Sequence, residues 1–192
     1  ISGIGKEVKL IRFDMGYLQV KIENKLDPYT TSNSYPDFFN LFTHKIIRIG
    51  GIEEEEFPFY IKKFMTDTLI NTLNKLTEEE FANFKKTEKQ IIRSFKYFSY
   101  HFPDRRLPEI YIYNSGFNQS VVTTENFIGI SLDKYLGVTC PYYTKLSTTP
   151  QYKIKNMHSG KLPSDVIYAW GITEFDDKKT TTNLLDNIIH QG

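Results

Sequence analysis

Few side chains in this sequence are of a type and spacing that could do chemistry. Four are histidines, His44, His101, His158 and His190, and imidazole both titrates near neutral pH and ligates metals. No two of them stand at the spacing of paired ligands on a helix. His44 reads as a helix-surface residue, and His101 falls near a helix C-terminus, where a cation is favoured. His190 differs through context alone. It lies on a helix that follows the sheet, the place of the first histidine in an H-E-x-x-H zinc helix. There a glutamate is the general base, whereas here the next residue is Gln191, which cannot serve as one. A catalytic zinc site also needs about three protein ligands, and His190 is one.

The carboxylates Glu125 and Asp133 flank a strand segment and are the right type for acid–base work. The plainer reading makes Glu125 a turn residue and lets Asp133 accept backbone donors where the strand ends. Ser115-Gly116 and Ser159-Gly160 have no nearby base and read as turns rather than nucleophiles. The lone Cys140 excludes an internal disulfide and any multi-cysteine zinc site; a single thiol is more often buried and inert. No G-x-S-x-G, Walker A or G-x-G-x-x-G pattern occurs. The basic residues Lys85, Lys86, Lys89, Arg93 and Lys96 are offset by Glu78–Glu80 and Glu88, and the net charge is +1. That balance argues against a nucleic-acid partner. Aromatics make up 15 % of the chain, enough to fill a core and to supply a surface for a sugar or a protein. Since loops carry function more often than elements do, the binding residues expected are Phe117, Asn118, Glu125 and Asp133, with Tyr142, Tyr143 and Tyr152 from a tyrosine-rich loop.

These residues are to be positioned by Ile110–Tyr135. It reads as three short strands, Ile110–Tyr113, Val121–Thr124 and Phe127–Leu132, separated by turn chemistry. Strands this close in sequence suggest an antiparallel meander with helices over one face. Val8–Phe13 alternates as a further strand, Tyr17–Ile22 is undecided between helix and strand, and Asn24–Ser34 reads as a loop. Helices are expected from Tyr35-Pro36 to the Gly50-Gly51 break, and from Phe59 to Leu76 with a possible interruption at Thr66-Asp67. Another runs from a capping box at Thr77–Glu80 to the stop at Pro103, with more from Pro163 and from Thr182. The acidic run Glu53–Glu56 should sit in solvent or at a helix N-terminus. The expectation is one α+β domain over residues 1–192, without linker or repeat. The chain opens at Ile1, which suggests a processed or truncated start, and its last helix looks cut short.

Several stretches carry a family likeness. KLIRFD (Lys9–Asp14), YPDFFNLF (Tyr35–Phe42), YFSYHFPD (Tyr97–Asp104), SGFNQSVVTTENFIGISLDKYLG (Ser115–Gly137), LPSDVIYAW (Leu162–Trp170) and LLDNIIHQG (Leu184–Gly192) stand in the same order in that family. The chain resembles the GldB-type gliding-motility lipoproteins of Bacteroidetes, which are remotely similar to zincin-like metallopeptidases. The resemblance implies a zincin-like scaffold in the cell envelope, anchored through an N-terminal lipid and facing the periplasm. It further implies a part in gliding or its linked secretion machinery, with an envelope protein or cell-wall component as partner and no cofactor. Members are longer than this chain, and their His-Gln-Gly segment lacks a complete zinc motif, as Gln191 does here. The alternative is a zinc-dependent metallopeptidase that uses His190 and ligands from a missing C-terminal part. A sugar-binding module is a third, weaker possibility.

Overall fold

β-Branched and aromatic runs form the strands, and the depth at which each is buried decides where it lies. The computed structural model describes residues 8–14, 28–143 and 149–175. The undecided Tyr17–Ile22 and the last helix, with His190 and Gln191, lie outside the described residues. Four strands, β1 (Leu10–Arg12), β2 (Glu109–Tyr113), β3 (Val121–Thr123) and β4 (Phe127–Ser131), make one sheet in the order β1-β2-β4-β3. β1, β2 and β4 run parallel, and β3 pairs antiparallel with β4 at the edge.

The expected antiparallel meander is therefore corrected to a mixed sheet, because β2 skips β3 and pairs with β4. Burial explains the exchange. Every residue of β4 is buried, whereas all three of β3 are only partly so. A strand that is apolar on both faces needs neighbours on both sides and helices above and below.

Helices accordingly cover both faces. Ile110, Ile112, Ile128 and Ile130 meet Ile91 and Phe95 of α5 (Phe84–His101) and Val166 and Trp170 of α7 (Leu162–Phe175). The opposite face is aromatic. Tyr111, Tyr113 and Phe127 meet Phe38 of α2 (Pro36–Leu41), Phe42 of the π-helical turn Phe42–Ile46, and Phe57 and Ile61 of α3 (Phe57–Thr66). Gly129 makes this packing possible. A Cβ there would stand 2.7 Å from Val122 Cγ2 and 2.9 Å from the Phe38 ring, and Phe38 stacks flat on Tyr111 with centroids 4.3 Å apart.

Other local signals act as their chemistry dictates. Asp67 interrupts the second helical pattern and caps α4 (Thr68–Glu80), its carboxylate accepting from Ile70 N at 3.0 Å. Glu53–Glu56 are exposed and lead into α3. Two expectations fail locally. Residues 28–34 form a helix, α1 (Pro28–Ser34), rather than a loop. The Thr77–Glu80 capping box does not form, because Thr77 is buried inside α4 and donates to Asn74 O. α5 starts later, after Asn83.

Candidate functional site

Three parallel strands end side by side, and in open sheets of this kind ligands collect at the carboxyl ends. Asp14 follows β1, Asn114 and Ser115 follow β2, and Asp133 follows β4 in a 3-10 turn, Leu132–Tyr135. Asp14 is held by Arg12, whose guanidinium donates to both carboxylate oxygens at 2.9 and 2.7 Å. Asn114 donates to Asn74 Oδ1 and Thr77 Oγ1 of α4.

Asp133 is fully buried. Its Oδ2 accepts from Ser115 N at 3.0 Å and Phe117 N at 2.9 Å, and its Oδ1 accepts from the Ser131 hydroxyl at 2.5 Å. Gly116 and Phe117 both have left-handed backbone, φ +71° and +68°, which lets the amides on either side of Gly116 converge on one oxygen. Phe117 is an uncommon residue in that conformation, and the Asp133 contact offsets the strain. Burial pushes the Asp133 carboxyl above its ordinary range, while the three donors pull it partly back. Ser115 Oγ in turn accepts from Asn118 N and Gln119 N and lies 2.9 Å from Ser131 Oγ. The whole turn after β2 is thus tied to the end of β4.

The chain then leaves the sheet and returns. Leu136 bridges His158, and Gly137 N donates to Met157 O at 2.8 Å, closing the neck of the excursion between them. Inside it, Tyr143 is buried; its hydroxyl donates to Asp133 O at 2.9 Å and accepts from Leu136 N at 2.8 Å. Burial pushes that hydroxyl's pKa up. Cys140 is buried with it, and burial raises its thiol as well.

Two cavities open beside this neck. One, about 310 Å3, is lined by Glu79 and Glu80 of α4 with Leu136 and Cys140. The other, about 380 Å3, brings together Lys134 and Tyr135 of the 3-10 turn, Lys153 of α6 (Gln151–Lys155), Met157, and Lys161 and Asp165 at the start of α7. Lys161 Nζ lies 3.5 Å from Asp165 Oδ1, and the Tyr135 hydroxyl donates to Asp165 Oδ2 at 3.2 Å. Lys134 is half-buried, and its ammonium sits 5.8 Å from the centre of the Phe117 ring. Burial lowers its pKa, and Asp133 opposes that shift.

Of the expected binding residues, Phe117, Asp133 and Tyr143 meet at this rim, with the Phe117 and Tyr143 rings edge to face at 5.6 Å. Asn118 stands exposed beside them, its side chain donating to Ser115 O. Tyr142 is half-buried in the same cluster, and Tyr152 is exposed on α6. Glu125 lies elsewhere, in the exposed turn before β4, at the other end of that strand. Sequence reasoning missed Lys134, Lys153 and Lys161. Lys134, next to the buried acid, carried a local signal, but the other two join it only through the neck at Leu136 and His158.

Among the described residues one trio of possible metal ligands converges, His44, Glu53 and Glu54, with ligand atoms within 4.8 Å of one another. His44 sits half-buried in the π-helical turn, and Glu53 and Glu54 are exposed in the stretch before α3. No helix of the described residues is long and apolar enough to cross a membrane.

The family described as gliding motility protein GldB matches residues 1–192, the whole chain. No curated protein and no solved structure matches it.

Proposed function

The chain belongs to the gliding motility protein GldB family, and from that premise we propose a non-catalytic binding role in the cell envelope. In this reading a membrane-anchored lipoprotein faces the periplasm and grips an envelope protein or cell-wall component through the rim at the ends of β2 and β4. The zincin-like scaffold serves as a support for that rim and supplies no peptidase chemistry.

One observation carries the reading. The fully buried acid at the strand ends, Asp133, spends both carboxyl oxygens on two backbone amides and a hydroxyl inside the fold, out of a substrate's reach. What the rim offers outward is recognition chemistry: the exposed Asn118 and the half-buried Phe117 and Tyr142, with Tyr152 exposed on α6. Aromatic side chains such as these are common anchors of a partner surface.

The test is complementation. A strain lacking the protein receives the full-length form with Phe117→Ala, Asn118→Ala, Tyr142→Ala or Tyr152→Ala, and gliding is scored beside protein level. Loss of gliding at unchanged level is expected for at least the Phe117 and Asn118 variants. Normal gliding by all four would end the proposal. The alternative zinc-dependent metallopeptidase is decided on the same full-length protein. Stoichiometric zinc, together with proteolysis lost in His190→Ala, would replace the binding role.

A further inference from the structure

Three lysines, Lys134, Lys153 and Lys161, line the larger cavity beside the rim, and one of them meets a carboxylate. Lys161 is that one, and its partner Asp165 is also engaged by the Tyr135 hydroxyl. Asp133, although next to Lys134 in sequence, turns inward and is occupied by its own three donors. Lys134 and Lys153 therefore line the cavity without an ion-pair partner among the described residues, Asp133 acting on Lys134 only through space. Such a group of like charges is stable only because water screens it, and an anion in their midst is the natural counterpart. The chain as a whole carries a net charge of +1, so the attraction belongs to this place and not to the protein at large.

We infer that this cavity binds a phosphate monoester. Its head is held by Lys134, Lys153 and Lys161, and its body lies against Met157 and the Tyr135 ring. The count of charge selects the head. Two lysines without an ion-pair partner among the described residues favour a dianion, and a phosphate monoester carries nearly two charges at neutral pH, whereas a carboxylate carries one. Ser120 and Asn156, also on the wall, add an uncharged hydroxyl and amide that can donate to phosphate oxygens. At about 380 Å3 the cavity has room beyond one phosphate for a body of sugar or glycerol size. The same head can come from a soluble sugar or glycerol phosphate or from a phospholipid. This inference gives a ligand class to the binding face proposed above and rests on that reading only for its cellular role.

The experiment uses the full-length protein and glycerol 3-phosphate, titrated by calorimetry with glycerol as the neutral control. Binding that weakens with added salt is expected. A Lys134→Gln/Lys153→Gln double variant should bind at least about tenfold more weakly with the thermal midpoint unchanged. Lys161→Gln should abolish binding, because it leaves the Asp165 charge facing the phosphate. Should the double variant melt early, Lys153→Gln alone, at an exposed position, carries the comparison. Vesicles of phosphatidylcholine with and without phosphatidic acid separate the sources. Capture by phosphatidic acid that glycerol 3-phosphate reverses marks a lipid head, and binding of the soluble ester alone marks a free monoester; both support the inference. It is overturned if glycerol 3-phosphate binds no better than glycerol, or if the lysine variants bind it as the wild type does. In that event, gliding lost in the rim variants would still uphold the binding face. Conversely, lysine-dependent phosphate binding with gliding intact in every rim variant would remove the binding face and leave the cavity its ligand.

Discussion

Asp133 and Lys134 are neighbours in the chain and opposites in circumstance. The first is buried and takes three donors. The second stands at a cavity wall with an aromatic ring beside it and no ion-pair partner among the described residues. A polar group whose hydrogen bonds are all made inside the fold holds the fold together. One whose charge is left over is available to something else. Type alone would have marked both as functional; what separates them is how completely each is satisfied.

That contrast can be tested by substitution. The largest effect is expected for Asp133→Ala, which orphans two amides and a hydroxyl in the interior and should cost about 3 kcal/mol or more in urea unfolding. A loss below about 1 kcal/mol would mean that the knot is not structural. Gly129→Ala comes next, since its Cβ would press on Val122 and Phe38 and shift β4, the strand that leads into both residues. A cost of about 1–3 kcal/mol is expected, with phosphate affinity falling as well. Tyr143→Phe removes the hydroxyl that links Asp133 O to Leu136 N and should cost about 1 kcal/mol. Lys134→Gln, on the other side of the contrast, should change stability by no more than about 0.5 kcal/mol while weakening anion binding.

A pH titration sharpens the same point. Burial holds the folded Asp133 carboxyl above its ordinary value, so the folded chain keeps a proton that the unfolded chain has released. Stability contributed by this group is therefore full below the unfolded value of about 4 and falls as pH rises toward the folded one. Urea midpoints followed across that interval should decline in the wild type and be flatter in Asp133→Asn.

Local chemistry made much of the fold legible. The Asp67 cap, the stop at Pro103, the helix from Pro163 and the extents of β2, β3 and β4 follow from side chains acting on their own backbone. Strand order did not follow, because pairing β2 with β4 depends on helices from distant parts of the chain covering Phe127–Ser131 on both faces. Thr77 misled for a related reason: its hydroxyl suits a cap, but α4 runs past it and buries it beside Asn114. At the site, the turn at Ser115–Asn118 and Asp133 as an acceptor of backbone donors were readable from sequence. The lysine cavity was not, since Lys134 and Lys161 are brought together by a bridge between Leu136 and His158 that no spacing announces.

One of the two outer strands of the sheet, β3, has a consequence for how copies of the protein meet. β3 is three residues long, and the Thr123 hydroxyl is engaged by Thr173 of α7 at 2.8 Å. So short and guarded a margin gives a second copy few backbone groups to pair with. Along this margin a second copy finds little on which to start a growing β-stack, and lengthening the strand is the change most apt to provide it.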